Sequence, residues 1–148
     1  MFNEHQLIAK NKNLELIYTC RAKKKEINAD EYCITQIFAN LIDNALKFTK
    51  KGKVEILVSN NSNDDIIVEV KDTGIGMGKE FLKHLFEPFV QETTGYTRAY
   101  EGNGLGLALV KRYCDINNAI LEVESEKGIG TTFKVIFRKD SDKNIAKK

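Results

Sequence analysis

A chain of 148 residues with 42% apolar and 30% charged residues is long enough for one domain with its own hydrophobic core. A net charge of +2 is too small to argue for nucleic acid, no apolar run could span a bilayer, and Met1-Phe2-Asn3-Glu4-His5 lacks a signal-peptide layout, so a cytoplasmic chain is expected. Cys20, Cys33 and Cys114 are odd in number and far apart, with no Cys-x-x-Cys pair, which argues against a disulfide framework or a cysteine metal site.

Residues 1–13 carry a short helical pattern and read as a linker remnant from an upstream helical domain. Residues 14–138 read as the functional domain and 139–148 as a polar tail. Leu14 to Tyr18 alternates as a first strand, and a second, short strand is expected before Asp30. Asp30 is a plausible N-cap for a long helix to about Phe48, with apolar residues at Ile34, Ile37, Phe38, Leu41, Ile42, Ala45 and Leu46, and Gly52 is expected to close it. Lys53 to Val58 should pair with Ile66 to Lys71 as a hairpin. A short helix follows near Lys79 to Phe86, broken by Pro88. Residues 91–103 are polar and without periodicity, and they read as a lid. Leu105 to Asn117 is helical again, and Ala119 to Glu124 and Thr131 to Arg138 read as two final strands.

Asp72 sits where a strand ends and Asp72-Thr73-Gly74-Ile75-Gly76-Met77-Gly78 begins. A carboxylate there is a fixed acceptor suited to the exocyclic amine of a purine, and the glycines would let a flat ligand lie against the main chain. Ordinary turn chemistry after a strand is the alternative for this stretch alone. On the long helix, Asn40, Asn44 and Lys47 share one face. An amide oxygen suits Mg²⁺, which takes its remaining ligands from water and phosphate, and Lys47 adds a point charge for phosphate; a solvated polar face is the alternative. Gly102-Asn103-Gly104-Leu105-Gly106 opens a helix, whose free N–H groups and dipole favour the β- and γ-phosphates of a nucleotide. Arg98 could place a guanidinium on the terminal phosphate or could face water.

Four stretches together, Asn40 to Thr49, Asp72 to Met77, Leu85-Phe86-Glu87-Pro88-Phe89 and Gly102 to Gly106, resemble the N, G1, F and G2 boxes of the catalytic and ATP-binding domain of sensor histidine kinases, in the GHKL ATPase superfamily. The resemblance covers Leu14 to Phe137. It implies an α/β fold of Bergerat type: a two-layer sandwich, its mixed, mostly antiparallel sheet covered by helices on one face. It implies ATP and Mg²⁺ as cofactors, Asn44 as the metal ligand, and Asn40 as its polar neighbour. Lys47 would be the phosphate contact and Phe48 an adenine-side residue. Asp72 would accept the adenine amine, with Gly74 and Gly76 beside the base, and Thr131 would share a water with that aspartate. Phe86 and Phe89 would anchor the lid, Arg98 would be the lid arginine, and Gly102, Gly104, Leu105 and Gly106 would hold phosphates.

The implied activity is transfer of the γ-phosphoryl group to a histidine on a helical phosphoacceptor domain absent from this chain, and indirectly to a response regulator. Neither His5 nor His84 has the acceptor's sequence context, so the chain is not expected to phosphorylate itself. Hydrolysing members of the superfamily carry glutamate where Asn40 stands, and asparagine cannot act as that base. An anti-sigma-type serine kinase, a GHKL ATPase and a non-catalytic nucleotide-binding module are the rival readings. Asp115-Ile116-Asn117-Asn118-Ala119 stands where many members have His-Gly-Gly, and because asparagine tolerates the left-handed helix-ending conformation little functional effect is expected.

Overall fold

Strand alternation becomes one covered and one open face of a five-stranded sheet in the computed structural model, which describes residues 2–87 and 106–139. The elements are α1 (Phe2–Asn11), β1 (Glu15–Cys20), α2 (Glu31–Phe48), β2 (Lys53–Asn60), β3 (Ile66–Asp72), α3 (Lys79–Lys83), α4 (Gly106–Ile116), β4 (Ala119–Glu126) and β5 (Gly130–Phe137). The sheet order is β1-β2-β3-β5-β4; β1 runs parallel to β2 and every other pair is antiparallel. This is the α/β sandwich with a mixed, mostly antiparallel sheet that the motifs imply.

Register carries the pattern across the strands. Ile56, Val70, Phe133 and Val123 form one row, Val58, Val68, Val135 and Leu121 the next, and Ile66, Phe137 and Ala119 a third. Onto this face α2 lays Ile37, Leu41, Ala45 and Leu46, all at 3% exposure or less, and α4 adds Leu107, Val110 and Cys114. Each such large side chain contributes about 1.5–3 kcal/mol on burial, so the stripe of α2 holds the two layers together. The opposite face alternates Glu55, Lys71, Thr132 and Glu124 in one row and Leu57, Glu69, Lys134 and Glu122 in the next. Burial of the Cys114 thiol pushes its pKa up to about 12, which makes it inert packing.

Asp30 caps α2 as its sequence suggests, its carboxylate accepting from the Cys33 amide at 3.0 Å. Asn118 takes the left-handed conformation, with φ 55°, at the end of α4. Residues 1–13 contain α1, which packs against β1 and α2 and buries Ala9.

Two expectations fail. No second strand forms between β1 and Asp30: the Lys23 and Lys24 amides both donate to Asn60 Oδ1, at 2.8 and 3.2 Å, so a side chain takes donors that a strand would have given to a ladder. Nor does Gly52 close α2. The helix stops at Phe48 because Thr49 is already extended (φ −106°, ψ 116°) and its hydroxyl donates back to Ala45 O at 2.7 Å; Gly52 belongs to the turn before β2. The short helix α3 ends at Lys83, three residues earlier than its pattern suggests, and continues as tighter turns, with His84 N donating to Phe81 O and Leu85 N to Leu82 O.

Candidate functional site

At one end the covered face changes character. The fourth row reads Leu16, Val54, Asp72, Thr131 and Ser125, and its last three members are polar. Asp72 is 9% exposed and Thr131 7%. Burial is the main influence on Asp72 and raises its pKa to about 6, against the pull of hydrogen bonds from the Gly74 and Thr131 backbones. At neutral pH the group is therefore largely a carboxylate in a poorly solvated place, and it gains much from a donor brought by a ligand.

The loop after Asp72 is held on both sides. Gly74 N donates to Asp72 Oδ1 at 2.9 Å and Ile75 N donates to Phe48 O at 3.2 Å, which ties the loop to the end of α2. A Cβ on Gly74 would stand 2.4 Å from Phe48 O, so only glycine fits this approach. Gly76, at φ 68°, turns the chain against the β4–β5 connection, where a Cβ would meet Glu126 O at 2.0 Å; next to it Gly128 N donates to Ile75 O at 2.7 Å.

Asn44, Phe48, Asp72, Gly76 and Thr131 line one pocket, floored by Ala45, Met77 and Phe133. Five of the residues singled out in the sequence thus come together from α2, β3, the glycine loop and β5. Asn40, one turn before Asn44, donates its side-chain amide to Gln36 O at 2.8 Å, and its Oδ1 lies 3.5 Å from where a Cβ on Gly106 would be, so the start of α4 faces the polar stripe of α2. Lys47 is exposed beside the pocket, its ammonium 5.9 Å from the centre of the Phe48 ring. Phe86 is half-buried against the core. Phe89, Arg98, Gly102, Gly104 and Leu105, with the lid, lie outside the described residues.

No group of three His, Cys, Asp or Glu side chains among the described residues is placed to hold a metal ion. The half-buried Asn44 amide is a hard oxygen donor on the α2 side of the pocket, and one such donor fits a Mg²⁺ that arrives with phosphates and keeps its waters.

Ser125 escaped the sequence reading. Its hydroxyl accepts from the Met77 amide at 2.8 Å, donates to Gly130 O at 3.1 Å and lies 2.7 Å from Thr131 Oγ1, so it joins the glycine loop to the strand beside Asp72. The signal was its place opposite Thr131 on the covered face, which only the register reveals.

Residues 29–141 match the model of the family described as histidine kinase-, DNA gyrase B- and HSP90-like ATPase. Among curated proteins, the autoinducer 2 sensor kinase/phosphatase LuxQ of Vibrio parahaemolyticus serotype O3:K6 is 39% identical over 97% of this chain. The circadian input-output histidine kinase CikA of Synechocystis is 38% identical over 84%. The chain spans only 18% and 17% of these relatives' lengths. Among solved structures, full-length ShkA in complex with AMPPNP superposes with a TM-score of 0.79 at 30% identity, covering 91% of this chain and 27% of that one. The nucleotide-free catalytic domain of histidine kinase ThkA gives 0.74 over 91% of this chain and 89% of that one; at 21% identity it shares the fold. The chain belongs to the family of histidine kinase-, DNA gyrase B- and HSP90-like ATPases, as a catalytic ATPase domain of the sensor histidine kinase type.

Proposed function

We propose that this domain binds Mg·ATP in the Asp72 pocket and donates the γ-phosphoryl group to a histidine on a helical phosphoacceptor domain of its parent protein, from which a response regulator would be served. The observation that carries the reading is a buried carboxylate, Asp72, at the polar end of the covered face, opposite Asn44 and Phe48 in one pocket. Asp72 accepts the adenine amine, and Thr131 beside it holds the water or ring nitrogen that completes the base's edge. Gly74 and Gly76 let the base approach the main chain, and Phe48 packs at its side.

Asn44 would hold the Mg²⁺ that comes with the nucleotide's phosphates, and the metal would supply charge neutralisation for phosphoryl transfer. Lys47 would add positive charge for the γ-phosphoryl group, as would Arg98 in the role the family resemblance gives it, and the Gly102-to-Gly106 motif would offer backbone donors to the phosphates. Asn40 keeps the site polar without supplying a base for water, which favours transfer over hydrolysis. Catalysis by such a domain is positioning and charge stabilisation. The ShkA structure with AMPPNP and the kinase names of the relatives support an ATP-using reading.

Labelled ATP tests it. Alone, the chain should acquire no acid-labile phosphate, because His5 is buried against Asp43 and His84 pairs with Glu87 on the surface. Mixed with the helical hairpin of its parent protein, it should label the hairpin. Rapid labelling of a histidine in this chain would sink the reading, and labelling of a serine on a separate partner would point to an anti-sigma-type kinase.

A further inference from the structure

The last four carbonyls of a helix have no partner within it, and in α2 these belong to Ala45, Leu46, Lys47 and Phe48, the turn that carries the phosphate-side groups. Each one is met. Thr49 Oγ1 donates to Ala45 O at 2.7 Å, and Ile75 N, from the glycine loop, donates to Phe48 O at 3.2 Å. The two between them are taken by a single ammonium from another helix: Lys12 Nζ donates to Leu46 O and, at 3.4 Å, to Lys47 O.

Lys12 is held in place for this. Asn13, at φ 59°, turns the chain out of α1, and Leu14 N donates back to Ala9 O at 2.9 Å, so the residue is fixed between a helix end and a buried leucine. Farther along α1, Gln6 donates to Leu16 O at 3.0 Å and the buried His5 meets Asp43 Oδ1 at 2.7 Å. Asp43 precedes Asn44 and lies one turn from Lys47. A cation at a helix C-terminus also complements the dipole there.

We propose that Lys12 is a positioning residue for the phosphate end of the nucleotide site: by capping Leu46 and Lys47 from α1 it fixes the turn of α2 that carries Asn44 and Lys47. The inference rests on the roles given above to those two residues. It makes α1 part of the site's support, since any shift of α1 moves the cap.

Competition against a fluorescent ATP analogue separates the two ends of the nucleotide. Mg·ATP uses both ends of the site, whereas AMP without metal uses the Asp72 end. Lys12→Met should weaken Mg·ATP about two- to tenfold while AMP affinity stays within experimental error, and Lys12→Arg, which restores a cationic donor, should recover most of the loss. Urea unfolding of each variant reports on stability, and Lys12→Gln, a neutral donor of intermediate effect, replaces the methionine variant if that one does not fold. An unchanged ratio of Mg·ATP to AMP affinity, whether both hold or both fall together, would overturn the proposal. Failure of the underlying site reading looks different: the unsubstituted chain would then show no magnesium-dependent gain in affinity, whatever stands at position 12.

Discussion

The two ends of the β3–β5 pair are built by the same register and serve opposite purposes. From Ile66 and Phe137 through Val68 and Val135 to Val70 and Phe133, each facing pair on the covered side is apolar and packs under the helices. One step further the facing pair is Asp72 and Thr131, equally hidden from water but polar, with Ser125 beside it. Burying an apolar pair lowers the free energy of the fold, whereas burying a carboxylate raises it until a donor arrives. The apolar rows therefore hold the domain together, and the last row stores an unmet preference that a ligand can satisfy.

Substitutions within these rows should separate stability from binding. The largest effect is expected at the apolar end: Phe133→Ala removes a ring that is 5% exposed and should cost about 3–5 kcal/mol of folding stability, measured by urea unfolding. At the polar end, Asp72→Ala should cost adenine nucleotides about 1–3 kcal/mol of binding without a comparable loss of stability. Equal affinities for ATP and GTP in the unsubstituted chain would count against Asp72 as the reader of adenine.

Acidity sharpens the same contrast. Asp72 titrates at about 6 in the folded chain against an ordinary 3.8. A raised folded-state value means that the fold prefers the protonated acid, so this stabilisation is full below pH 3.8 and is lost as pH rises through about 6. Relative to Asp72→Asn, which does not titrate, the unsubstituted chain should lose about 2–3 kcal/mol across that window. Binding runs the other way, because the adenine amine needs the carboxylate. Affinity for ATP should climb through pH 6 and level off above pH 7, and a flat profile would detach Asp72 from the base. On the α2 side, Asn44→Ala should abolish the magnesium dependence of binding and leave metal-free ADP binding nearly intact, as titration calorimetry would show.

Much of this architecture was legible because period and motif agree. The stripe on α2 and the alternation of β2, β3 and β5 each follow from burial on one side, so the helix, the hairpin and the final strands fall where their residues place them. Asn44 and Phe48 from the first motif, Asp72 and Gly76 from the second, and Thr131 from the last strand were singled out in the sequence and do share a pocket. What escaped depends on neighbours distant in sequence. The segment before Asp30 looks able to extend until Asn60 takes two of its amides. Glycine is the commonest helix stop, yet Thr49 ends α2 with its own hydroxyl, and Lys12 gives no local hint that it reaches a second helix. Ser125 is an unremarkable strand residue until Thr131 stands opposite it.

The smallest effect should come from Ser125, which never needs to touch the nucleotide. Its hydroxyl is shared by three groups: it accepts from Met77 N, donates to Gly130 O and lies against Thr131 Oγ1. Ser125→Ala leaves the Met77 amide without that acceptor beside a methionine that is 2% exposed, a loss of about 1 kcal/mol in stability. It also frees the Thr131 hydroxyl to turn. If Thr131 orders a water with Asp72, adenine recognition should weaken by about 1 kcal/mol or less, with discrimination between ATP and GTP reduced and the magnesium dependence untouched. Ser125→Thr keeps the hydroxyl and should restore discrimination where the added methyl is accommodated. Unfolding curves and parallel ATP and GTP titrations would check both parts. A stability loss with unchanged discrimination would make Ser125 a strut for the glycine loop alone, and the polar row would then act on adenine through Asp72 and Thr131 without it.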